Sequence, residues 1–328
     1  MSLDGGAHLR LNMSELVMQA MQGQIAHQVG RPNPYRIGQD GVPRVLPGTG
    51  GITINRRIGD SCVGLAADHV EPGVALHNNG REIIGGRTGP NMALMTSSCV
   101  GNRARVATGP MTGAIGMVTG KHGGVDHLLV DFDTKTLCRL NIGDRIQIYT
   151  CGLGMRLLDF PDILVTNCAP SLLRRWAPRP QGRALAVRVT HILPAAIMGS
   201  GLGKNNVWRG DIDIQLFDAP TRRRHGLETL RFGDIVAVTD SDTRFGAAWR
   251  GGRTTIGVVV HSDSTMAAHG PGMVAVLTAP TPLLRPVRDS AANIAFLYRR
   301  RAFIAPRAHT PVAGRAAARR HAHAFAFA

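Results

Sequence analysis

The feature that most constrains the fold is a succession of short apolar runs between residues 31 and 150. Gly, Pro, Asn or Asp interrupts these runs about every 8–12 residues, the spacing at which short strands and tight turns alternate. The chain contains 40 glycines, many of them in this region. This pattern of short apolar runs and turn residues favours a small β-barrel or sandwich over a helical fold. The predicted strands lie at residues 103–108, 116–119, 127–132 and 145–149.

A second β-rich region follows a connector. Residues 161–180 contain a predicted short helix at 171–176, which Pro178 ends. Beyond them, strands are predicted at residues 184–192, 211–216, 235–239, 254–261 and 273–277. A length of 328 residues suits two domains with a core each. We therefore expect a mainly β protein with a few helical elements, formed by two β-rich domains.

The expected domain organisation has five parts. They are an N-terminal segment (1–30), a β-barrel domain (31–160), a connector (161–181), a C-terminal β-rich domain (182–284) and a basic tail (285–328). Within the first part, residues 13–21 suit a short helix capped by Ser14 or an amphipathic strand. Both alternatives remain open at this point.

The positive charge of the chain is concentrated near its C-terminus. The formal net charge is +16, and nine arginines against one acid after residue 280 supply half of it. The Ala, Arg and His-rich residues 307–328 lack a periodic apolar face, so we expect a disordered tail. Such a tail predicts at most weak nucleic-acid binding.

The remaining composition predicts a cytoplasmic protein. The five cysteines form no Cys-x-x-Cys pair, which argues against a zinc ribbon or a disulfide framework. No stretch approaches about 18 consecutive apolar residues, so we expect no membrane contact. A homo-oligomer remains possible on this composition.

The strongest candidate for chemistry is the segment that follows the apolar run 255–260. It delivers His261, Ser262, Asp263 and then His269 into a Gly-Pro-Gly turn, where rigid strand ends can fix polar groups. We predict these four residues as catalytic, with the histidines as general acid/base groups or ligands and Asp263 orienting a histidine. A nucleophilic triad using Ser262 or Ser264 is the weaker alternative, because adjacent residues rarely converge on one another.

A second polar segment offers metal ligands. Asp68, His69 and Glu71 lie within four residues of one another, although alternate residues of a strand face opposite ways. Combined with His261, Asp263 and His269, they would form a His/carboxylate site for a divalent metal such as zinc, which activates a bound water. Ordinary turn hydrogen bonds are the alternative role. The composite site predicts that Asp68 or His69 lies within about 10 Å of His261 or His269.

The stretch from residue 104 to 124 resembles a KOW motif. Gly109, Gly113 and Gly116 have the spacing of its glycine-rich bend, and Lys121 with His122 would place positive charge at the tip. A KOW motif binds RNA or protein, but aromatic side chains for base stacking are scarce here. Glycines at the bends of any small barrel explain the same spacing.

Several further residues are predicted to contact a substrate. The glycine-rich residues 199–206 would expose backbone N–H groups to an anion beside Lys204, although no hydroxyl follows that lysine as a Walker motif requires. The predicted substrate contacts are Asn55, Lys121, His122, Ser200, Lys204 and Asn205.

Taken together, these segments resemble one family of bacterial and archaeal proteins, domain of unknown function 4438. The matching stretches are residues 47–55, 67–74, 119–124, 198–203, 210–215, 261–264 and 269–272. The resemblance implies an N-terminal RIFT-type barrel and a separate C-terminal domain. It supplies neither an activity nor catalytic residues.

The sequence favours an enzyme, hydrolytic or lyase-like, that acts on a small polar substrate at the seam between two domains. The motivation is that polar glycine-rich segments occur in both halves, and domain seams favour pockets. The alternative is an RNA- or ribosome-associated module that uses the KOW-like bend and the basic tail.

Overall fold

The computed structural model describes residues 9–30, 35–81, 83–84, 87–199, 206–216 and 218–299. The strands of its N-terminal half are β1 (Gln19–Ile25), β2 (Arg36–Ile37), β3 (Pro43–Arg44), β4 (Ile52–Thr53), β5 (Gly73–His77), β6 (Ile83–Ile84), β7 (Arg87–Thr88), β8 (Arg103–Val106), β9 (Ile115–His122), β10 (His127–Asp131) and β11 (Arg145–Thr150). The strands of its C-terminal half are β12 (Leu164–Val165), β13 (Arg179–Gln181), β14 (Ala184–Val189), β15 (His191–Pro194), β16 (Ile212–Asp213), β17 (Ile235–Asp242), β18 (Ala248–Val259), β19 (Gly272–Pro280) and β20 (Leu284–Arg288). The α-helices are α1 (Pro90–Ser97), α2 (Thr134–Leu137), α3 (Pro170–Trp176), α4 (Ala219–His225) and α5 (Ile294–Leu297).

The N-terminal half forms a closed six-stranded antiparallel barrel. Its strand order is β1-β11-β8-β9-β10-β5, and β5 pairs back with β1 to close the sheet. Alternate residues of β8 and β11 face inward, and the interior is filled by aliphatic side chains such as Val74, Leu128 and Ile146. Closure leaves no open sheet edge in the barrel. The predicted small barrel is confirmed.

The barrel begins earlier than the sequence suggested. Of the two alternatives for residues 13–21, the structure has a 3-10 helix at Met13–Glu15 followed by β1, which supplies one of the six barrel strands. The proposed domain start at residue 31 therefore cuts through the barrel. The reason is that the alternating pattern of β1 is weak, since only its last residues are buried.

The C-terminal half is a second β-rich unit. Its main sheet has the order β12-β19-β18-β17-β15, with β16 also paired to β19. A smaller sheet of β13, β14 and β20 lies beside it, in which β14 and β20 run parallel. Helix α3 lies where the sequence predicted it, but β12 of the supposed connector is part of the main sheet.

The supposed tail also begins later than expected. Residues 284–288 form β20, and α5 buries Ile294 and Ala295 completely in the core. Secondary structure therefore extends beyond residue 284. The reason is that the short apolar helix α5, which arginines flank in the sequence, packs onto the C-terminal half. The predicted disorder of residues 307–328 lies outside the described residues.

One hydrophobic cluster joins the two halves. It contains Ala75, Met117 and Leu129 from barrel strands together with Val260 and Val274 from the C-terminal unit. At Gly120 of β9, a Cβ atom would overlap the side chain of Val260, so glycine permits the close approach. This contact brings β9 against the end of β18, beside which the polar residues of both halves meet.

Two further features bear on cellular context. All five cysteines are free thiols in the structure. Among the described residues, no helix is both long and apolar enough to cross a membrane.

Candidate metal site between the two halves

Four histidines converge at the seam. His69 Nε2 lies 3.2 Å from His269 Nδ1, and the ring centroids of His122 and His261 are 4.3 Å apart. The rings of His69 and His122 stack with centroids 5.7 Å apart, which connects the two pairs. The predicted proximity of the His69 segment to the His261–His269 segment is confirmed.

Hydrogen bonds between distant segments create this convergence. The backbone N–H of Ser262 donates to Val70 O at 3.0 Å, and the N–H of Val70 donates to Ser262 Oγ at 2.8 Å. The N–H of His69 donates to Asp263 O at 3.2 Å. The segment after β18 is therefore fastened to the segment before β5, and their histidines face each other.

The structure gives Ser262 and Asp263 structural positions instead of the predicted catalytic ones. Ser262 is fully buried, and its hydroxyl holds the segment contact just described. Asp263 Oδ2 accepts a hydrogen bond from Gly64 N at 2.8 Å, and burial raises the pKa of this carboxyl to about 6. Within the described residues, Asp263 makes no hydrogen bond to a histidine ring. Adjacent residues point in different directions, so only the histidines of this segment reach the cluster.

Two aspartates that the sequence analysis did not single out complete the cluster. Asp211 Oδ2 lies 2.7 Å from His261 Nε2, and Asp213 Oδ2 lies 3.0 Å from His269 Nδ1. Both are nearly fully buried, and they occupy alternate positions at β16, so they face the same side. The Asp-Ile-Asp-Ile alternation of residues 211–214, with acids on one face and core residues on the other, was the available signal.

These side chains form two sets of potential metal ligands. The first contains His69, Asp213 and His269, and the second contains His122, Asp211 and His261. Within each set, the ligand atoms all lie within 4.8 Å of one another. Two imidazole nitrogens and one carboxylate with a free fourth position are the donor set of many catalytic zinc sites.

Asp68 and Glu71, predicted as ligands, instead hold the histidines. Asp68 Oδ2 accepts a hydrogen bond from His69 Nδ1 at 3.0 Å, and Glu71 Oε1 accepts one from His122 Nδ1 at 2.6 Å. Glu71 also accepts from His127 Nδ1 and from Gly50 N. A proton fixed on each Nδ1 leaves the Nε2 lone pair of His69 and His122 directed into the cluster, as in most protein metal sites.

The third of these histidines is oriented by a backbone group. His261 Nδ1 lies 2.9 Å from Ser262 O and 3.3 Å from Gly272 N, so its Nε2 also faces the two aspartates. The ring is completely buried. Three of the four histidines thus have an outer contact that orients the ring, and for His69 and His122 it is a carboxylate, which accepts the Nδ1 proton.

The electrostatics of the ion-free cluster are set by burial and close pairing. Burial opposes ionisation of Asp213, but hydrogen bonds from His261 and His269 bring its pKa well below the usual value. Burial alone would lower the pKa of His261. Hydrogen bonds and charge interactions with Asp211 and Asp213 outweigh burial, so the pKa of His261 is well above the usual value. Protons on histidine thus provide the positive charge that the two carboxylates require.

The backbone at the cluster is specialised. His69 has φ of 51°, a left-handed conformation that non-glycine residues adopt at a cost and often at functional sites. At Gly272, a Cβ atom would overlap both Asp211 and His261, so the absence of a side chain permits their contact. Gly123 N donates to Asp211 Oδ1 at 2.7 Å and fixes that carboxylate.

The cluster opens into a cavity of about 250 Å³. His69, His122, Asp211, Asp213 and His269 line it, together with Arg36, Thr49, Gly124, Val125 and Met266. Among the described residues, the Arg36 guanidinium makes only one hydrogen bond, to Met266 Sδ at 3.1 Å. A charged donor fork at the rim of the cavity, with no carboxylate partner in the described part of the chain, suits an anionic group of a substrate.

A larger cavity of about 630 Å³ lies elsewhere. It is bordered by Tyr149, Arg174 and Tyr298, and none of its lining residues belongs to the histidine cluster. Volume alone therefore does not locate the chemistry, and the convergence of titratable groups is the better guide.

The remaining predicted contacts do not gather at the cluster. Lys121 is fully buried, its Nζ donates to Asn167 Oδ1 and Trp208 O, both at 2.6 Å, and burial lowers its pKa to about 8. Asn55 is exposed and does not line the cavity. Ser200, Lys204 and Asn205 lie outside the described residues. Of the predicted substrate contacts, the structure brings His122 into the cluster.

Comparison with known protein families gives two adjacent matches. Residues 35–174 match the family described as domain of unknown function (DUF4438), N-terminal, and residues 176–298 match its C-terminal counterpart. The chain belongs to the DUF4438 family. A solved structure, "Crystal structure of TM1086", resembles this DUF4438 protein with a TM-score of 0.81 and 39% sequence identity, over 88% of this chain and 98% of that chain. No curated protein matches the chain.

Neither the DUF4438 family nor the related TM1086 structure carries a description that states an activity. The functional argument for this DUF4438 protein therefore rests on the chemistry of its own site.

Proposed function

We propose that this DUF4438 protein is a divalent-metal-dependent enzyme, a hydrolase or lyase, that acts on a small anionic substrate at the seam of its two halves. The observation that carries this proposal is the pair of His/Asp ligand sets. The outer nitrogens of three of their histidines are held: that of His69 by Asp68, that of His122 by Glu71 and that of His261 by Ser262 O. Carboxylates that hold the outer nitrogens of His69 and His122 direct the inner nitrogens of both rings into the cluster, which is the usual arrangement of histidine ligands.

The ligand chemistry favours zinc or a similar borderline cation. Imidazole and carboxylate donors suit Zn²⁺, Mn²⁺ and Co²⁺, whereas Ca²⁺ and Mg²⁺ prefer oxygen donors alone. A bound cation of this kind lowers the pKa of a coordinated water and polarises a carbonyl or phosphoryl oxygen. In hydrolysis, the water oxygen bonds to the electrophilic centre, the bond to the leaving group breaks, and the leaving group takes up one of the water's protons.

The residues around the cavity provide groups that bind a substrate and a metal ion. Arg36 would bind an anionic group of the substrate across the cavity. His269 is the most exposed of the histidines, with 32% of its side chain accessible, and hydrogen bonding to Asp213 raises its pKa above the usual value. It therefore offers a ligand nitrogen beside the substrate. The rigid seam would hold these groups in place.

The RNA-binding alternative gains no support at the residues on which it relied. Lys121 and His122 lie buried within β9 and not at an exposed tip. The exposed turn between β8 and β9, residues 107–114, contains neither lysine nor arginine. Phosphate contacts near this bend would therefore depend on Arg103 and Arg105, which are exposed on β8.

The proposal is tested with chelator-treated full-length protein and Zn²⁺. We expect Zn²⁺ uptake by elemental analysis and a higher melting temperature, since an ion at 100 times its Kd adds about 2.7 kcal/mol of stability. His69→Ala should reduce this response, and His225→Ala, at the end of α4, should keep it in full. A panel of small carboxylate and phosphate esters then reports turnover. Absence of uptake of Zn²⁺, Mn²⁺ and Co²⁺ would refute the proposal.

A further inference from the structure

Asp213 occupies a special position between the two ligand sets. Its Oδ2 atom lies 3.0 Å from His269 Nδ1 and 4.0 Å from His69 Nε2. Its Oδ1 atom lies 3.4 Å from His261 Nε2, which belongs to the second set. One carboxylate therefore directs each of its oxygens toward a different pair of histidines, as a carboxylate that bridges two ions does.

The first set has the dimensions of one metal site. Ligands about 2.1 Å from a tetrahedral zinc ion are separated from each other by about 3.4 Å. The separations among His69 Nε2, His269 Nδ1 and Asp213 Oδ2 are 3.2, 3.0 and 4.0 Å. Small side-chain adjustments suffice to place all three atoms around one ion.

The ligand atoms of the second set are oriented by contacts of their own. Asp211 Oδ1 is bound by Gly123 N, which leaves Oδ2 beside His261 Nε2. The Nδ1 of His122 is bound by Glu71, which leaves its Nε2 as the ligand atom. These contacts use no ligand atom of the first set. An ion bound in the first set therefore leaves His122, Asp211 and His261 available for a second ion.

A single ion would use only one half of the cluster. If it occupied the first set, Asp211 and His261, both nearly or fully buried, would stay paired with each other at 2.7 Å. A second ion would take His122, Asp211 and His261 as its ligands and would place both oxygens of Asp213 on metal.

We propose that the site binds two divalent cations bridged by Asp213. His69 and His269 complete the site of one ion, and His122, Asp211 and His261 complete the site of the other. This inference rests on the proposed function, because it assumes that the cluster binds metal. Two ions beside Arg36 match a substrate with a phosphate or carboxylate group, since paired ions stabilise the attacking and leaving oxygens of such a group.

The two sites differ in accessibility. In the first, the side chains of His69 and His269 are 14% and 32% exposed, and in the second those of His122 and His261 are 8% and 0% exposed. The first ion therefore faces the substrate cavity, and the second is held deeper. We expect a chelator to remove the first ion faster than the second.

The experiment is a Mn²⁺ titration of chelator-treated full-length protein, followed by elemental analysis and electron paramagnetic resonance. We expect two Mn²⁺ per chain and a spectrum that shows magnetic coupling between them. His269→Ala should retain one uncoupled ion in the deeper site. Asp213→Asn should abolish the coupling, whereas the exposed Asp162→Asn should change neither stoichiometry nor coupling. Circular dichroism establishes that each variant is folded.

The outcomes separate the two proposals. One Mn²⁺ per chain at saturation would overturn the paired site and leave the proposed metal-dependent function standing. Two ions without coupling would overturn the bridge through Asp213. No bound ion would overturn both. If Asp213→Asn fails to fold, His122→Ala serves in its place, and it should retain one uncoupled ion at the cavity.

Discussion

Two buried acidic networks in this protein differ in how they are neutralised. Asp234 pairs with Arg231 at 2.9 Å and accepts a hydrogen bond from Asn293 Nδ2 at 2.7 Å. At the seam, Asp211 and Asp213 face histidines instead, and within the described part of the chain neither forms an ion pair with an arginine or lysine. Asp234 thus has a permanent cation, whereas the seam depends on groups whose charge is set by protonation.

The choice of arginine or histidine as the partner of a buried carboxylate decides whether the carboxylate can bind a metal ion. The Arg231 guanidinium leaves no oxygen of Asp234 available to a metal ion, because it donates hydrogen bonds to both of them and stays charged. Histidine can lose its proton and then offers a lone pair, so the same carboxylates become ligands when a metal ion arrives. The seam is therefore suited to exchange a proton for a cation, and the Asp234 network is suited to hold the fold together.

The largest expected effect tests the structural side of this comparison. Asp234→Ala should cost about 3–5 kcal/mol of unfolding free energy, because it leaves the buried Arg231 guanidinium without its partner. Urea denaturation followed by tryptophan fluorescence measures this loss. The folded variant should bind as much Zn²⁺ as the unmodified protein. A parallel loss of Zn²⁺ would show that the two networks are coupled and would break the comparison.

A medium effect concerns a histidine outside both networks. His191 Nε2 contacts Gly226 O at 3.1 Å and Thr229 Oγ1 at 3.0 Å, and burial lowers its pKa to about 4. The folded state thus resists protonation between the usual pKa of 6.5 and about 4. Stability is then complete above the unfolded-state pKa and decreases as the pH falls through this window.

The size of this pH effect follows from linkage. Between about pH 7.5 and about pH 5, His191 should cost about 2 kcal/mol of unfolding free energy. His191→Gln, which retains an N–H donor toward Gly226 O, should remove this part of the pH dependence. The difference between the two proteins in urea midpoint at each pH measures it. Equal pH profiles would show that His191 is already protonated or exposed in the folded state.

The sequence indicated the histidines of the site but not the carboxylates that complete it. His69, His122, His261 and His269 stood in conspicuous glycine-rich segments, whereas Asp211 and Asp213 lay in a short alternating stretch that looked like an ordinary strand. Their position depends on the pairing of β16 with β19, a contact across about 60 residues of sequence. Alternation alone could have identified an acidic face, but not what that face meets.

The fold shows the same division between local and distant signals. Strands bounded by turn residues, such as β9 and β10, were predictable because their pattern is local. The positions of β1 and α5 were not predictable, because each element is stabilised by residues far away in the sequence. In β1, Met21 lies opposite Ile148, and in α5, Ile294 packs into the core of the C-terminal half. The contacts of Ser262 and Asp263 were not predictable for a related reason, since their partners Val70 and Gly64 are nearly 200 residues away.

The smallest expected effect sharpens the comparison at the outer edge of the seam. Glu71 is buried and accepts hydrogen bonds from both His122 and His127. Glu71→Gln keeps one acceptor oxygen but removes the charge and one acceptor, so His122 should be less firmly oriented. We expect a loss of about tenfold in Zn²⁺ affinity, the lower end of the range for residues that orient metal ligands. Isothermal titration measures it, with the exposed Glu228→Gln as the matched control. Unchanged affinity in a folded Glu71→Gln protein would place Glu71 with Asp234 among the residues that serve the fold alone.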